Sequence, residues 1–271
     1  MINNFASKFV KKFHNSIFGT NFASIFLENC IASLRGKKNK FYYNKKDKIF
    51  IVSENSIKRK FINKVRGFAF YRNGIKSRGK FLITSYCLQN INFDENDVII
   101  DCGANFGDLF IGLEDNIAPT NYIAIEPNPS DFEVLKQNSP KSILVNKALG
   151  NLNGTMPFYV STEDGDSSLV KPTKFEKVID IPVVRLDKLT KELNLDKIKL
   201  LKIEGEGYEP EILEGAGKML NKCEYIAVDG GYERGPNCEQ TFTTITNYLL
   251  NNGFEMKDIY FPWYRALFIR K

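Results

Sequence analysis

The sequence predicts an α/β protein: a parallel β-sheet with helices on both faces, ended by an antiparallel hairpin and preceded by a basic, mostly helical segment. Three observations carry this. From residue 97 onward, short apolar runs that end in an acid alternate with helical stretches. The last two apolar runs flank only Phe261-Pro-Trp-Tyr264, too short a connection for a crossover. The charge is also divided. Residues 1–80 hold 19 Lys/Arg against Glu28, Asp47 and Glu54, whereas residues 81–271 hold 19 basic and 29 acidic side chains. We therefore expect an N-terminal extension over residues 1–88 and a ligand-binding domain over residues 89–271.

The elements follow in order. Phe5, Phe9, Phe13 and Ile17 recur every four residues, and Phe22, Ile25 and Phe26 continue a similar face. That spacing predicts an amphipathic helical region packed on the main domain or on a second subunit, as in a homodimer. A helix lying on a bilayer, with Lys8, Lys11 and Lys12 in water, is the lesser alternative. Gly36-Lys-Lys-Asn-Lys40 breaks the helix, and residues 49–52 (Ile-Phe-Ile-Val) predict a short strand. Residues 58–88 read as mostly helical, interrupted near Gly74 and Gly79.

In the second region a strand over 98–101 leads into a glycine turn and a helix. A strand over 122–126 leads through Pro127-Asn128-Pro129 into a helix ending near Gln137. Residues 142–145 form a third strand. Residues 198–203 form a fourth, with a helix from Pro210 to Leu220, and residues 225–229 a fifth, with a helix over 241–251. Residues 254–260 and 265–269 make the hairpin. Residues 154–190 form an insertion with two strands, 156–160 and 178–184, around a polar loop.

Composition sets limits on function. At 271 residues and 43% apolar, the chain has material for one sizeable core. It contains no apolar run of about 18 residues and no secretory signal pattern. Five cysteines without a Cys-x-x-Cys pair suit a reducing compartment, so a cytoplasmic protein is expected, with membrane-surface contact as the lesser alternative. His14 is the single histidine, which excludes Ser-His-Asp or Cys-His machinery in the body of the protein. The basic region is either a solvated appendage or a surface drawn to phosphates, as in a lipid-linked sugar, a nucleotide sugar, an anionic membrane or nucleic acid. None of its residues resembles a nucleic-acid module, so no nucleic acid is expected.

The loop Asp101-Cys-Gly-Ala-Asn-Phe-Gly-Asp108 follows a strand and opens a helix. Its glycines admit a ligand close to the backbone, and the helix N-terminus offers free N–H donors. A dinucleotide enzyme wants Gly-x-Gly-x-x-Gly there, but counting from Gly103 puts Asn105 and Asp108 at the second and third glycines. Asp108 would also set a negative charge near a pyrophosphate. A methionine-derived cofactor carries an ammonium, a carboxylate and a ribose but no phosphate. Asp101 and Asp108 then serve as acceptors near the ammonium, and Glu126, ending the next strand, as a bidentate acceptor for the ribose hydroxyls.

Five stretches together carry a family likeness: Val98-Ile-Ile-Asp-Cys-Gly-Ala-Asn-Phe-Gly-Asp108, Ile125-Glu-Pro-Asn-Pro129, Asn146-Lys-Ala-Leu149, Asp166-Ser-Ser-Leu169, and Leu201-Lys-Ile-Glu-Gly-Glu-Gly-Tyr-Glu-Pro-Glu-Ile-Leu-Glu-Gly215. Over roughly residues 90–270 the sequence resembles the FkbM-type S-adenosylmethionine-dependent methyltransferases. The resemblance implies a Rossmann-like, seven-stranded class I methyltransferase sheet whose antiparallel strand comes from the final hairpin. It also implies O-methylation, frequently of sugars or polyketide-like metabolites. Asp101, Gly103, Ala104, Asn105, Gly107 and Asp108 would surround the methionine part of S-adenosylmethionine. Glu126, followed by Pro127, would hold the ribose, and Asn146 and Ala148 would border the adenine. Asp166, Ser167 and Ser168 would close over the cofactor from the insertion. One departure is that the family often has Lys-Ile-Asp-Val-Glu-Gly where this chain has Glu204 and Gly205.

A sugar hydroxyl is a weak nucleophile at neutral pH and benefits from a base or a metal. Without histidine the candidates are Glu204 and Glu206 at the end of the fourth strand and Asp229 at the end of the fifth. Sugar O-methyltransferases of antibiotic pathways are similar at these two strand ends. That likeness implies Glu204 and Asp229 as ligands of Mg²⁺, which favours all-oxygen sites, and Glu206 as base. Alternatively, Glu206 caps the following helix. Lys202, Tyr232, Glu233 and Arg234 are further crevice candidates. Trp263 and Tyr264 make either a platform for a sugar ring or strand-end packing. The expected partner is a hydroxyl-bearing small molecule or glycan acceptor, phosphate- or lipid-linked. A nucleotide-linked oxidoreductase and a membrane-peripheral, non-catalytic protein of the same fold are the competing readings.

Overall fold

The computed structural model describes residues 21–161 and 167–271. The helix expected over Phe5 to Ile17 and the predicted contact of Asp166 lie outside these residues. The chain divides into two compact units between Arg78 and Gly79.

The first unit contains α1 (Asn21–Leu34), β1 (Lys40–Asn44), β2 (Ile49–Glu54), β3 (Ile57–Phe61) and α2 (Lys64–Tyr71). Its three strands form an antiparallel meander with β2 in the middle. Helix was expected from residue 58, but Glu54 pairs with Ile57 across a two-residue turn in which Asn55 has φ +54°, and that hairpin sets Ile57–Phe61 as a strand. Phe41, Phe50, Phe61, Phe68 and Tyr71 are buried in mutual ring contact, with Phe41 and Phe68 meeting edge-on at 5.1 Å.

Helix α1 presents the opposite face from the one its phenylalanines predict. Ser24, Glu28 and Ala32 are buried, whereas Phe22 is 81% and Phe26 64% exposed. Polar contacts hold the helix down. Arg72 grips Glu28 bidentately at 2.5 and 3.0 Å, and the Asn29 side chain exchanges hydrogen bonds with the Phe41 backbone at 2.7 and 3.0 Å.

Helix α3 (Ile75–Ser85) carries the chain into the second unit. It begins after Gly74, as expected, but runs through Gly79 without a break. A Cβ on Gly79 would come within 2.8 Å of the Gly112 nitrogen, so this glycine serves close helix packing and not termination.

The second unit continues with β4 (Ile99–Cys102), α4 (Leu109–Leu113), β5 (Tyr122–Ile125), α5 (Pro129–Asn138), β6 (Ile143–Val145), β7 (Ala148–Leu149), β8 (Gly154–Val160), β9 (Lys177–Val184) and α6 (Leu186–Glu192). It ends with β10 (Ile198–Ile203), α7 (Glu209–Ala216), β11 (Cys223–Asp229), β12 (Tyr232–Arg234), β13 (Glu239–Gln240), α8 (Phe242–Asn251), β14 (Phe254–Tyr260) and β15 (Arg265–Arg270). Seven strands form one sheet in the order β14-β15-β11-β10-β4-β5-β6. β15 runs antiparallel to both its neighbours, while β11, β10, β4, β5 and β6 are parallel. This is the Rossmann-like, seven-stranded class I methyltransferase sheet that the resemblance implies.

Adjacent residues of each strand feed opposite cores. Ile100, Leu201 and Phe268 join one cluster, and Ile99, Leu200 and Leu267 the other. Burial on both faces explains why these strands read as continuous apolar runs. The two strands of the insertion pair with each other, and β9 also pairs with β7, making a separate three-stranded sheet that α6 follows. Among the described residues no helix is long and apolar enough to cross a membrane. The order of the large sheet reverses between β4 and β10. That switch point opens a crevice at the strands' carboxyl ends, where ligands bind in such sheets.

Candidate functional site

The glycine loop leaves β4 at this switch point. Gly103 has φ +75°, and a Cβ there would lie 2.1 Å from the Glu204 carbonyl oxygen, so only glycine lets the loop rest on the end of β10. Gly103 and Ala104 donate their N–H groups to Ile125 O at 3.0 Å, which fixes the loop to β5. Glu126 is buried just beyond β5. Its two carboxylate oxygens accept from Asn105 N and Asn128 N, each at 2.8 Å. Asn146 donates to Glu126 O at 2.8 Å and Pro127 O at 3.2 Å, bringing the third predicted stretch to the same place. Asp108 is buried at the start of α4 and makes no capping hydrogen bond, and Ala148 is buried in β7.

These residues fit an S-adenosylmethionine-type ligand. Both Glu126 oxygens face loop N–H groups, and the acceptor-only chemistry of a carboxylate suits two vicinal hydroxyls. Asn105 Oδ1 is buried without a hydrogen-bond partner, an acceptor that a ligand donor would satisfy.

Beneath the loop runs a row of alternating charges. Asp101 Oδ1 lies 3.0 Å from Lys202 Nζ, which is 2.9 Å from Glu204 Oε2. Glu204 Oε1 is 2.7 Å from Arg265 Nη2, and Arg265 Nε is 2.6 Å from Asp229 Oδ2. Sheet register produces the row: Lys202 faces Asp101 across β10 and β4, and Asp229 faces Arg265 across β11 and β15. Tyr122 donates its hydroxyl to Asp101 Oδ2, and Arg265 donates to Ser85 Oγ at 3.0 Å. Burial pulls the Lys202 pKa down, but Asp101 and Glu204 outweigh it and hold the ammonium above the ordinary lysine value. Burial pushes the Asp229 carboxyl up, against the pull of Arg265.

This arrangement does not fit the expected Mg²⁺. Glu204 and Asp229 are bridged by the Arg265 guanidinium, which already supplies the positive charge a metal would bring. Among the described residues no group of three or more His, Cys, Asp or Glu side chains stands ready to hold a metal ion.

One residue at this strand end was missed by sequence reasoning. Glu209, buried in the first turn of α7, accepts from Gly205 N at 2.8 Å and Gly207 N at 3.0 Å with Oε1, and from Thr241 Oγ1 at 3.0 Å with Oε2. Burial pushes its carboxyl up to about 7, against these donors. The available signal was an acid directly before Pro210 at a predicted helix start. Held this way, the loop sets Glu206 at φ +51°, unusual for a non-glycine residue. Gly207 follows at φ +94°, and a Cβ there would lie 2.6 Å from Arg234 Cα. Arg234 is bound to Gly207 O at 2.5 Å and to both Glu211 oxygens, so its charge is spent within the fold.

From the insertion, Ser168 Oγ donates to Glu206 O at 2.8 Å, which places that serine on the Glu206 loop. Ser167 Oγ accepts from Ser161 N at 2.9 Å and so closes the neck of the insertion loop.

The chain is similar to methyltransferase sdnD of Sordaria araneosa, 26% identical, with 50% of this chain and 66% of the relative covered. It is also similar to hexuronic acid methyltransferase AglP of Haloferax volcanii, 28% identical, with 50% of this chain and 56% of the relative covered. The chain thus spans between about half and two thirds of the length of these curated relatives. Among solved structures it is similar to Aeropyrum pernix fibrillarin with natively bound S-adenosyl-L-methionine, at 13% identity and a TM-score of 0.43, covering 81% of this chain and 92% of that one. It is similar too to M. capricolum TrmK in complex with S-adenosyl-homocysteine, at 12% identity and a TM-score of 0.41, covering 70% and 66%. The family model of the methyltransferase FkbM domain matches residues 101–256, more than half of the sequence, and the chain belongs to that family.

Proposed function

We propose that this protein is an S-adenosylmethionine-dependent O-methyltransferase acting on a hydroxyl of a sugar or glycan precursor. The observation that carries the cofactor is the closure of the glycine loop onto Glu126, with Asn105 Oδ1 buried beside it as an unpartnered acceptor. When bound, the cofactor supplies a methyl group on a positively charged sulfur, open to in-line displacement. The chain's own residues hold and orient. Glu126 takes the ribose hydroxyls, with Pro127 behind it, and Asn146 and Ala148 border the adenine. Gly103, Ala104, Asn105, Gly107 and Asp108 enclose the methionine part, with Ser167 and Ser168 on the insertion side. The row of Asp101, Glu204 and Asp229 against Lys202 and Arg265 has one carboxylate in excess, and its field favours a cationic ligand.

Alignment contributes most to a single displacement. For the base we assign Glu206, which lies two residues past Glu204 on the strand-end loop that Ser168 joins from the insertion. The sugar acceptor is supported by the relative named as a hexuronic acid methyltransferase.

Isothermal titration with S-adenosylhomocysteine tests this reading. We expect binding in the micromolar range, weakened at least about tenfold in Glu126→Ala through loss of charge-assisted hydrogen bonds. Glu206→Gln should keep that affinity. Unchanged binding in Glu126→Ala, with the fold intact by circular dichroism, would sink the proposed site.

A further inference from the structure

We propose that Tyr232, Phe261, Trp263 and Tyr264 form the acceptor platform, a stacking surface for the ring of a pyranose beside the carboxyl ends of β10 and β11. This rests on the methyltransferase reading above and specifies where its sugar lies. All four aromatic side chains are at least a third exposed, Phe261 most of all at 70%. In water such a patch marks a binding surface more often than idle decoration.

The patch is built, not scattered. Tyr232 and Tyr264 meet edge-on with centroids 5.4 Å apart, and Phe242 supports Tyr264 from 6.1 Å. Trp263 rests edge-on against Phe81 at 5.0 Å. Its ring also lies 4.6 Å from the Arg265 guanidinium, the same group that joins Glu204 to Asp229. The aromatic surface is therefore continuous with the charged row at the strand ends. Gly230 N, directly after Asp229, donates to Tyr264 O at 3.1 Å and ties the hairpin turn to the end of β11.

Tyr264 itself has φ +55° and ψ +35°, a left-handed conformation that bulky residues rarely adopt. Such strain persists where the surroundings over-determine it, and it gathers at ligand sites. A pyranose has an apolar C–H face and a rim of hydroxyls. Aromatic faces next to Arg265 and the part-exposed Glu204 carboxylate offer a partner to each, which a purely apolar partner surface would not need.

Trp263 is the only tryptophan in the sequence, so its fluorescence reads the platform directly. The full chain, mixed with S-adenosylhomocysteine, is titrated with methyl β-D-glucopyranoside and with methyl β-D-glucuronide. We expect a saturable change in emission with at least one of them. Tyr232→Ala and Tyr264→Gly should each weaken that binding about three- to tenfold. Glycine suits the left-handed backbone at 264, so the second variant separates loss of the ring from loss of the fold. Calorimetric affinity for S-adenosylhomocysteine should stay unchanged in both. No saturable change with either pyranoside, or one that both variants leave intact, overturns the platform. A dimer in sedimentation that both variants abolish would assign the surface to a second copy and overturn it equally. Failure of the unsubstituted chain to bind S-adenosylhomocysteine would overturn the methyltransferase reading alone, since the sugar titration is read independently.

Discussion

The two units bury charge in different ways. In the first, the buried Glu28 carboxylate is gripped by the Arg72 guanidinium, beside a core of packed aromatic rings. In the second, five alternating charges run along neighbouring strands from Asp101 to Asp229. A bidentate pair of this kind fastens one helix to the end of the next and adds no net charge. A row with three carboxylates and two cations keeps a net charge and projects a field. Removing ions from water is costly, and an apolar substitute often stabilises at least as well. A row of this length therefore points to function, and it lies at the switch point where the sheet opens its crevice.

This difference is broken most directly by Lys202→Met. It leaves Asp101 and Glu204 buried beside one cation fewer, at a cost of about 3–5 kcal/mol, read as a lower denaturation midpoint. An unchanged midpoint would mean the row is not coupled.

Glu209 sharpens the contrast, because N–H and O–H donors hold it where a guanidinium holds Glu28. Its folded pKa of about 7 lies above the ordinary value of 4.5, so the folded state keeps the proton longer than the unfolded chain does. The stability this confers is present below about pH 4.5 and is lost as pH rises through about 7. The full loss is on the order of 3 kcal/mol. Glu209→Gln should flatten that part of the stability curve in urea melts between those pH values. Parallel curves for the two proteins would remove Glu209 from the account.

The smallest effect belongs to the first unit. Phe22→Ser combined with Phe26→Ser should change stability by no more than about 0.5 kcal/mol, because both rings stand in water. Phe61→Ala, in the packed ring cluster, should cost about 3–5 kcal/mol by the same measurement. Equal losses would mean that the phenylalanine face of α1 is covered after all.

The second unit was the more legible region. Its strands are buried on both faces, so each appears as an unbroken apolar run between glycine or proline signals. The glycine loop and Glu126 were legible because adjacent strand ends place them together at a predictable interval. The first unit was read less well. Its outer strands show no clean alternation, Lys40–Asn44 because it sets two tyrosines side by side and Ile57–Phe61 because three basic residues fill its middle, so only the central strand stood out. The buried face of α1 escaped notice because Glu28 meets its partner 44 residues later. Gly79 reads as a breaker unless Gly112 is known to lie against it.

Apolar periodicity, glycine spacing and strand-end acids are properties of short stretches, and they were enough to read the sheet and the glycine loop; the five matching stretches carried the family. The roles of the acids beyond that loop were decided only by tertiary structure. Glu204 and Asp229 look alike in sequence as metal ligands, yet Arg265, 61 and 36 residues away, lies between them. In sequence Glu209 is only an acid before a proline, yet folding turns it back to hold the N–H groups of the loop that carries Glu206. The reason is physical: burial of an apolar run depends on its own composition, whereas the state of a buried charge depends on which other charges the strand order makes its neighbours.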